Sequence, residues 1–116
     1  MTAERENRER VARARRHQEA LNCLEYEQER EAMLRQRLEP MLRDAEGWRA
    51  DEAAIPGMAD EDVATLRRIG FIQQRPTEEA QARFEKQIAE LEAQLEDSVL
   101  RQQAYAAYAR ALESSS

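Results

Sequence analysis

Apolar residues recur at alternating spacings of three and four in two long stretches of this chain, and the rhythm fails between them. In the first stretch they are Ala20 with Leu21, Leu24, Leu34, Leu38, Met41 with Leu42, Ala45 and Trp48. In the last stretch one heptad frame holds Phe84, Ile88, Leu91, Leu95, Ser98, Gln102, Tyr105, Ala109 and Leu112. A narrow stripe of that period predicts long helices packed along a seam. The expected elements are a first long helix over residues 1–48, a tip segment over 49–76 with a short helix at about 61–69, and a second long helix over 77–113. Residues 114–116 are expected to be a flexible end. The fold class predicted is all-α, an antiparallel coiled-coil helical hairpin with a short third helix at the tip.

Local signals place the breaks. Pro40 lies inside the first stripe, where a missing backbone donor and a ring clash predict a kink or a restart at that point. Pro56 and Gly57 mark a turn. Asp60 is a candidate N-cap, with Glu61 and Asp62 at the positive end of a helix that Gly70 would stop. A loop ending in Arg75 and Pro76 follows, and Thr77 is a candidate N-cap before Glu78 and Glu79. Ile55, Met58, Val63, Leu66, Ile69, Phe71 and Ile72 are the densest group of large apolar side chains, expected to cap the tip together with Trp48.

The polar gaps predict the direction of pairing. If the chain folds back near residue 64, position i faces roughly position 128 minus i across an antiparallel pair. Leu38 then meets Leu91, Leu42 meets Phe84 and Ile88, and Leu24 meets Tyr105. The polar stretch 28–31 falls opposite 98–102, a match that a parallel dimer would give no reason for. A two-helix hairpin is thin, and in 99–112 apolar residues cover nearly every helix face. A helix apolar all round expects a second neighbour. Val99, Leu100, Tyr105, Tyr108 and Leu112 are therefore the candidate protein–protein interface, with a homodimer the expected assembly.

Composition agrees with this and narrows the function. Ala, Glu, Lys, Leu and Arg supply 67 of 116 residues, and alanine alone supplies 20, so few side chains are large enough for a thick core. No run approaches the roughly 18 apolar residues of a membrane span, and the N-terminal residues lack the apolar segment of a signal peptide. Cys23 is the single cysteine, so no disulfide framework exists within the chain and an intracellular, reducing setting is expected. Arginine outnumbers lysine 17 to 1, which reads first as the codon bias of a GC-rich genome.

Charge supplies the main candidate site. Residues 10–18 carry Arg10, Arg13, Arg15 and Arg16, with His17, and no acid, in a chain of net charge −6. The hairpin register adds Arg110 and, more loosely, Arg101. Residues 44–62 hold seven acids against one arginine. A basic cluster of this kind docks anionic polymers or surfaces. The competing reading has the arginines solubilise a helix end and pair with Glu6, Glu9 and Glu19. Nucleic acid is the weaker partner, because no aromatic residues interleave with the arginines and the chain is acidic overall.

Other constellations carry less. The carboxylates of residues 25–31 sit at helical spacing, but His17 is too far along the chain to complete a helical-bundle metal site, so this run is read as a solvated face. His17 and Cys23 are too far apart on one helix to form a nucleophile–base pair. Trp48 reads as a lid on the tip cluster. No catalytic residues, metal or cofactor are expected, and the chain is read as non-enzymatic.

Two resemblances follow. Gly47, Trp48, Arg49 and Ala50 look like a scrambled form of the turn in small secreted helical-hairpin proteins named for a Trp-X-Gly motif. Ala50 stands at the required glycine, and Tyr105 and Tyr108 lack the acid four residues on that belongs to that family's secretion signal. In architecture, residues 10–112 resemble the antiparallel coiled-coil domains of cytoskeletal and kinetochore proteins that bind microtubules. By that resemblance Arg10, Arg13, Arg15 and Arg16 would contact an acidic filament. The expected function is a coiled-coil interaction or assembly module, docking an anionic surface such as a microtubule through its basic end. The alternatives are a purely structural oligomerisation spacer and a secreted hairpin.

Overall fold

A computed structural model describes residues 2–73 and 76–114. Among them the chain is all-α, a helical hairpin with no strand. Helix α1 spans Thr2–Ala54, a single 3-10 turn spans Ile55–Gly57, α2 spans Asp60–Arg68 and α3 spans Glu78–Ser114. The chain divides into two compact units. Unit 1 comprises Met1–Arg35 and Ala93–Ser116, and unit 2 comprises Gln36–Glu92.

In unit 1 the buried and half-buried positions of α1 are Arg13, His17, Ala20, Leu24, Glu27, Glu31 and Leu34, with a few neighbours at the edges. They alternate in steps of four and three, the period at which a straight stripe meets a facing helix. On α3 the matching positions are Leu95, Ser98, Gln102, Tyr105, Ala109 and Leu112, the frame expected from the sequence. Five cross-helix contacts establish the pairing: Arg16 with Tyr108, His17 with Glu113, Glu27 with both Ser98 and Gln102, and Arg30 with Asp97. Partner numbers rise on one helix as they fall on the other, so the arms are antiparallel. Each pair adds to between 124 and 130, which brackets the expected register.

Two seam details differ from expectation. Of the alternatives at the start of the stripe, Ala20 is 5% exposed while Leu21 is 37% exposed. In the carboxylate run 25–31, Glu25 and Glu29 are solvated as expected, but Glu27 and Glu31 are not. Glu27 is only 3% exposed and Glu31 is half-buried, because the heptad turns both toward α3, and their carboxylates pair along α1 with Arg30 and Arg35.

In unit 2 the helical stripe continues through Leu38, Met41, Ala45 and Trp48. Met41 turns inward while Leu42 is 38% exposed, so Leu42 does not take the seam position expected for it. The Trp48 ring meets Phe84 of α3 at 4.9 Å between centroids and 52° between planes. Pro40 lies within α1 with no restart. Its position is exposed, where water can serve the carbonyl that loses its helical donor. Helix α1 also runs six residues past Trp48, through Ala-rich sequence that favours helix without extending the apolar stripe.

Capping explains the tip. Ala59 is the N-cap of α2 with no side-chain hydrogen bond, and Asp60, expected there, is the first helical residue. Asp60, Glu61 and Asp62 crowd the first turn and Arg67 and Arg68 the last, both matching the helix dipole. At the C-terminus Phe71 N–H donates to the Leu66 carbonyl at 2.9 Å and Gly70 N–H to the Arg67 carbonyl at 3.2 Å. That pair of bonds requires a left-handed residue, which Gly70 supplies with φ of +79°. Val63 and Ile72 are buried, and Ile55, Met58 and Leu66 are half-buried. Ile69 and Phe71, expected in the same cluster, are 66% and 75% exposed. Ile69 lies about 120° round the helix from Val63, and the reversal at Gly70 takes Phe71 out of helical phase, so neither reaches the packed face. Thr77 caps α3, its hydroxyl accepting from Ala80 N–H at 3.2 Å. Ser114, assigned to a flexible end, is the last residue of α3 and donates to the Arg110 carbonyl at 2.9 Å. Arg75 of the expected loop, and Ser115 and Ser116 of the expected end, lie outside the described residues.

Candidate functional site: the basic helix end and the flanks of unit 1

The arginine cluster occupies the first half of α1, a stretch of strong helix formers that carries each side chain round the helix at 100° per residue. Arg10 and Arg13 line a groove with His17, Leu112 and Glu113, of about 290 Å³. Across it, His17 Nε2 lies 2.8 Å from a Glu113 carboxylate oxygen. Arg15 and Arg16 turn away from that groove, and both reach Glu19 on the next turn, at 3.6 and 2.7 Å. Arg16 Nε also donates to the Tyr108 hydroxyl at 3.2 Å, with its guanidinium carbon 5.5 Å from the Tyr108 ring centroid. The Tyr108 hydroxyl, then Glu19, hold the Arg16 guanidinium above its ordinary pKa. The four arginines thus divide. Arg10 and Arg13 form one group beside the seam, while Arg15 and Arg16 are tied to Glu19. Arg110 is exposed on α3.

The expected protein interface also divides. Tyr105 and Leu112 are seam residues, half-buried against α1 and so committed to the hairpin. Val99 is half-buried beside the seam. Leu100 is 58% exposed, and Ala104, Ala107 and Ala111 are exposed as well. Their steps of four, three and four put these on one helix face, directed away from α1. This second stripe was legible in the sequence as part of a helix apolar on nearly every face, with Leu100 the one member expected in the interface.

Cys23 is half-buried in a groove of about 330 Å³ beside Arg16, Glu19, Ala20, Tyr105 and Tyr108. The carboxylate of Glu19 sits at the groove wall, with no histidine against the thiol. Among the described residues, no group of three or more His, Cys, Asp or Glu side chains is placed to hold a metal ion. No helix among them is long and apolar enough to cross a membrane.

No protein-family model, curated protein or solved structure matches the chain.

The polar layer at the centre of unit 1 is the feature that sequence reasoning located and misjudged. Ser98 is fully buried, and its hydroxyl donates to the Glu27 carbonyl at 3.0 Å. Gln102 Nε2 donates to the same carbonyl at 3.3 Å. The Glu27 carboxylate accepts from Arg30 Nη1 at 3.1 and 3.4 Å. Arg30 reaches on to Asp97 at 3.3 Å, and Asp97 also receives Arg101 Nε at 2.9 Å. Glu27, then Asp97, raise the Arg30 pKa above its ordinary value. The matched polar gaps in the sequence were the signal for this layer.

Proposed function

We propose that this chain is a non-enzymatic assembly module that joins a second copy of itself through the outer face of α3. The observation that supports the reading is the exposed stripe Leu100, Ala104, Ala107 and Ala111. A row of small residues with one leucine lets two helices approach closely and bury a continuous apolar strip. Sedimentation velocity across a hundredfold range of concentration tests it. The wild-type chain is expected to form dimers, and a Leu100→Glu/Ala107→Glu variant is expected to be monomeric with unchanged helicity. A wild-type chain that stays monomeric throughout would remove the reading.

A second surface belongs to the same module: the end carrying Arg10 and Arg13 docks an anionic partner, with a microtubule the leading candidate. Four arginines within residues 10–18, without an acid, support this in an otherwise acidic chain. The ties of Arg15 and Arg16 to Glu19 leave Arg10 and Arg13 as the pair to test. Co-pelleting with microtubules is expected at low salt, to weaken at moderate salt, and to be lost in Arg10→Glu/Arg13→Glu. Absence of pelleting at either salt would leave the module with protein assembly alone.

A further inference from the structure

Glu27 and Ser98 occupy seam positions that a coiled coil normally gives to apolar residues. They are 3% and 0% exposed, yet no hidden side-chain polar atom among the described residues lacks a hydrogen-bond partner. The satisfaction is reciprocal between the arms. Helix α3 supplies the donors of Ser98 and Gln102, and α1 supplies the Glu27 carbonyl they share. Arg30 then closes the layer sideways, from Glu27 on its own helix to Asp97 on the other. A side-chain donor reaches a helix backbone carbonyl across a seam only where the helices come close, and a residue as small as Ser98 permits that approach.

We propose that this layer is a selectivity device: it commits α1 to α3, antiparallel, in one register, and bars a second copy from the seam. Three alternatives show how it discriminates. A slip of one heptad, about 10 Å along the axis, sets the Glu27 layer against Tyr105 and Ala109, or against Leu95 and its neighbours. Tyr105 offers that carbonyl one hydroxyl, and Leu95 and Ala109 offer it no side-chain donor, while either slip also parts Arg30 from Asp97. The same slip sets the polar side chains of Ser98 and Gln102 against apolar Leu34 or Ala20, where only a backbone carbonyl is left to accept from them. Pairing α1 with α1 of another copy, parallel and in register, brings Glu27 and Glu31 against their own duplicates in a buried strip. Buried polar and ionic groups that must be paired in only one arrangement penalise every other one, and they add little stability to the arrangement they permit. The inference is independent of the α3 outer-face reading, since it concerns the seam alone.

The test compares three variants of the full chain by two-dimensional amide NMR and sedimentation. In Glu27→Leu/Ser98→Ala/Gln102→Leu the layer becomes apolar. The expected result is a higher thermal midpoint together with more than one set of amide signals, or species heavier than wild type forms at the same concentration. In Ser98→Ala/Gln102→Ala the cross-arm donors are removed without added volume, so the variant is free of overpacking. Signal doubling is expected there too. Leu95→Ala, an apolar seam control, is expected to lower the midpoint and keep one set of signals. A single set of signals at wild-type mass in both layer variants would overturn the proposal, whatever the midpoint does. So would several sets in the wild-type chain.

Discussion

At the scale of single residues, the most consequential atoms are the hydroxyl of Ser98 and the carbonyl of Glu27. The carbonyl already accepts a bond within α1, and the two α3 donors use its remaining capacity. Ser98→Ala removes one donor but leaves the carbonyl with a helical partner and with Gln102, so no buried group becomes orphaned. The expected loss is about 1 kcal/mol, the net worth of an ordinary internal hydrogen bond. Urea denaturation should show a lower midpoint with an unchanged slope, because the surface exposed on unfolding is the same. A loss several times larger would mean that the close approach of the helices depends on that bond. The Arg30 guanidinium behaves differently with pH. Its folded pKa is raised by Glu27 and Asp97, so the stabilisation it receives is fully present below the ordinary arginine value. It is lost only as pH rises through the raised value, so between neutral and mildly alkaline pH this residue contributes no pH dependence.

At the scale of elements, the tip separates burial from hydrophobicity. Ile72 is 5% exposed and Phe71 is 75% exposed, although they are adjacent and similar in apolar character. Ile72→Ala is expected to cost about 2–4 kcal/mol, as deletion of a buried aliphatic side chain does. Phe71→Ser should stay within about 0.5 kcal/mol of wild type. Thermal and chemical denaturation of the two variants side by side check this, and equal losses would place Phe71 in the packed cluster. The contrast also shows where the sequence was readable. Heptad spacing located every seam position of α3 from Phe84 to Leu112, because both arms repeat one period without interruption. The antiparallel register followed from two polar gaps that match in only one direction. Past Gly70 the chain leaves helical phase, and spacing carries no information about Phe71, while Ile69, just before it, has drifted about 120° from Val63. Glu27 shows the opposite failure. A carboxylate between other carboxylates reads as solvated until its position in the heptad is combined with the small residue facing it and the arginine three residues on that pairs with it. The apolar stripe fades at Trp48, yet alanine keeps α1 going to Ala54 without it.

At the scale of the whole molecule, charge is divided unequally between the two units. Unit 1 holds ten arginines against eleven acids, and unit 2 holds eight basic residues against thirteen acids. Five of the six net negative charges therefore reside in unit 2. Unit 1 is laced by close ion pairs, among them Arg16 with Glu19, Arg30 with Glu27, Arg30 with Asp97 and Arg101 with Asp97. In unit 2, Arg43 pairs with Glu39 on the surface of α1. Self-repulsion destabilises a compact acidic unit, whereas neighbouring opposite charges gain modestly from attraction. Salt screens both, shortening the Debye length from about 30 Å at 0.01 M to about 8 Å at 0.15 M. The two units should therefore respond with opposite sign. Hydrogen exchange followed over that range is expected to slow at the amides around Val63, Leu66 and Ile72, where repulsion is relieved. Around Glu27 and Ser98 it should hold steady or quicken, because attractions are being screened and the best-buried pair is protected from the solvent ions. A uniform change across both units would mean that they open together as one cooperative body, and that local charge balance does not set local stability.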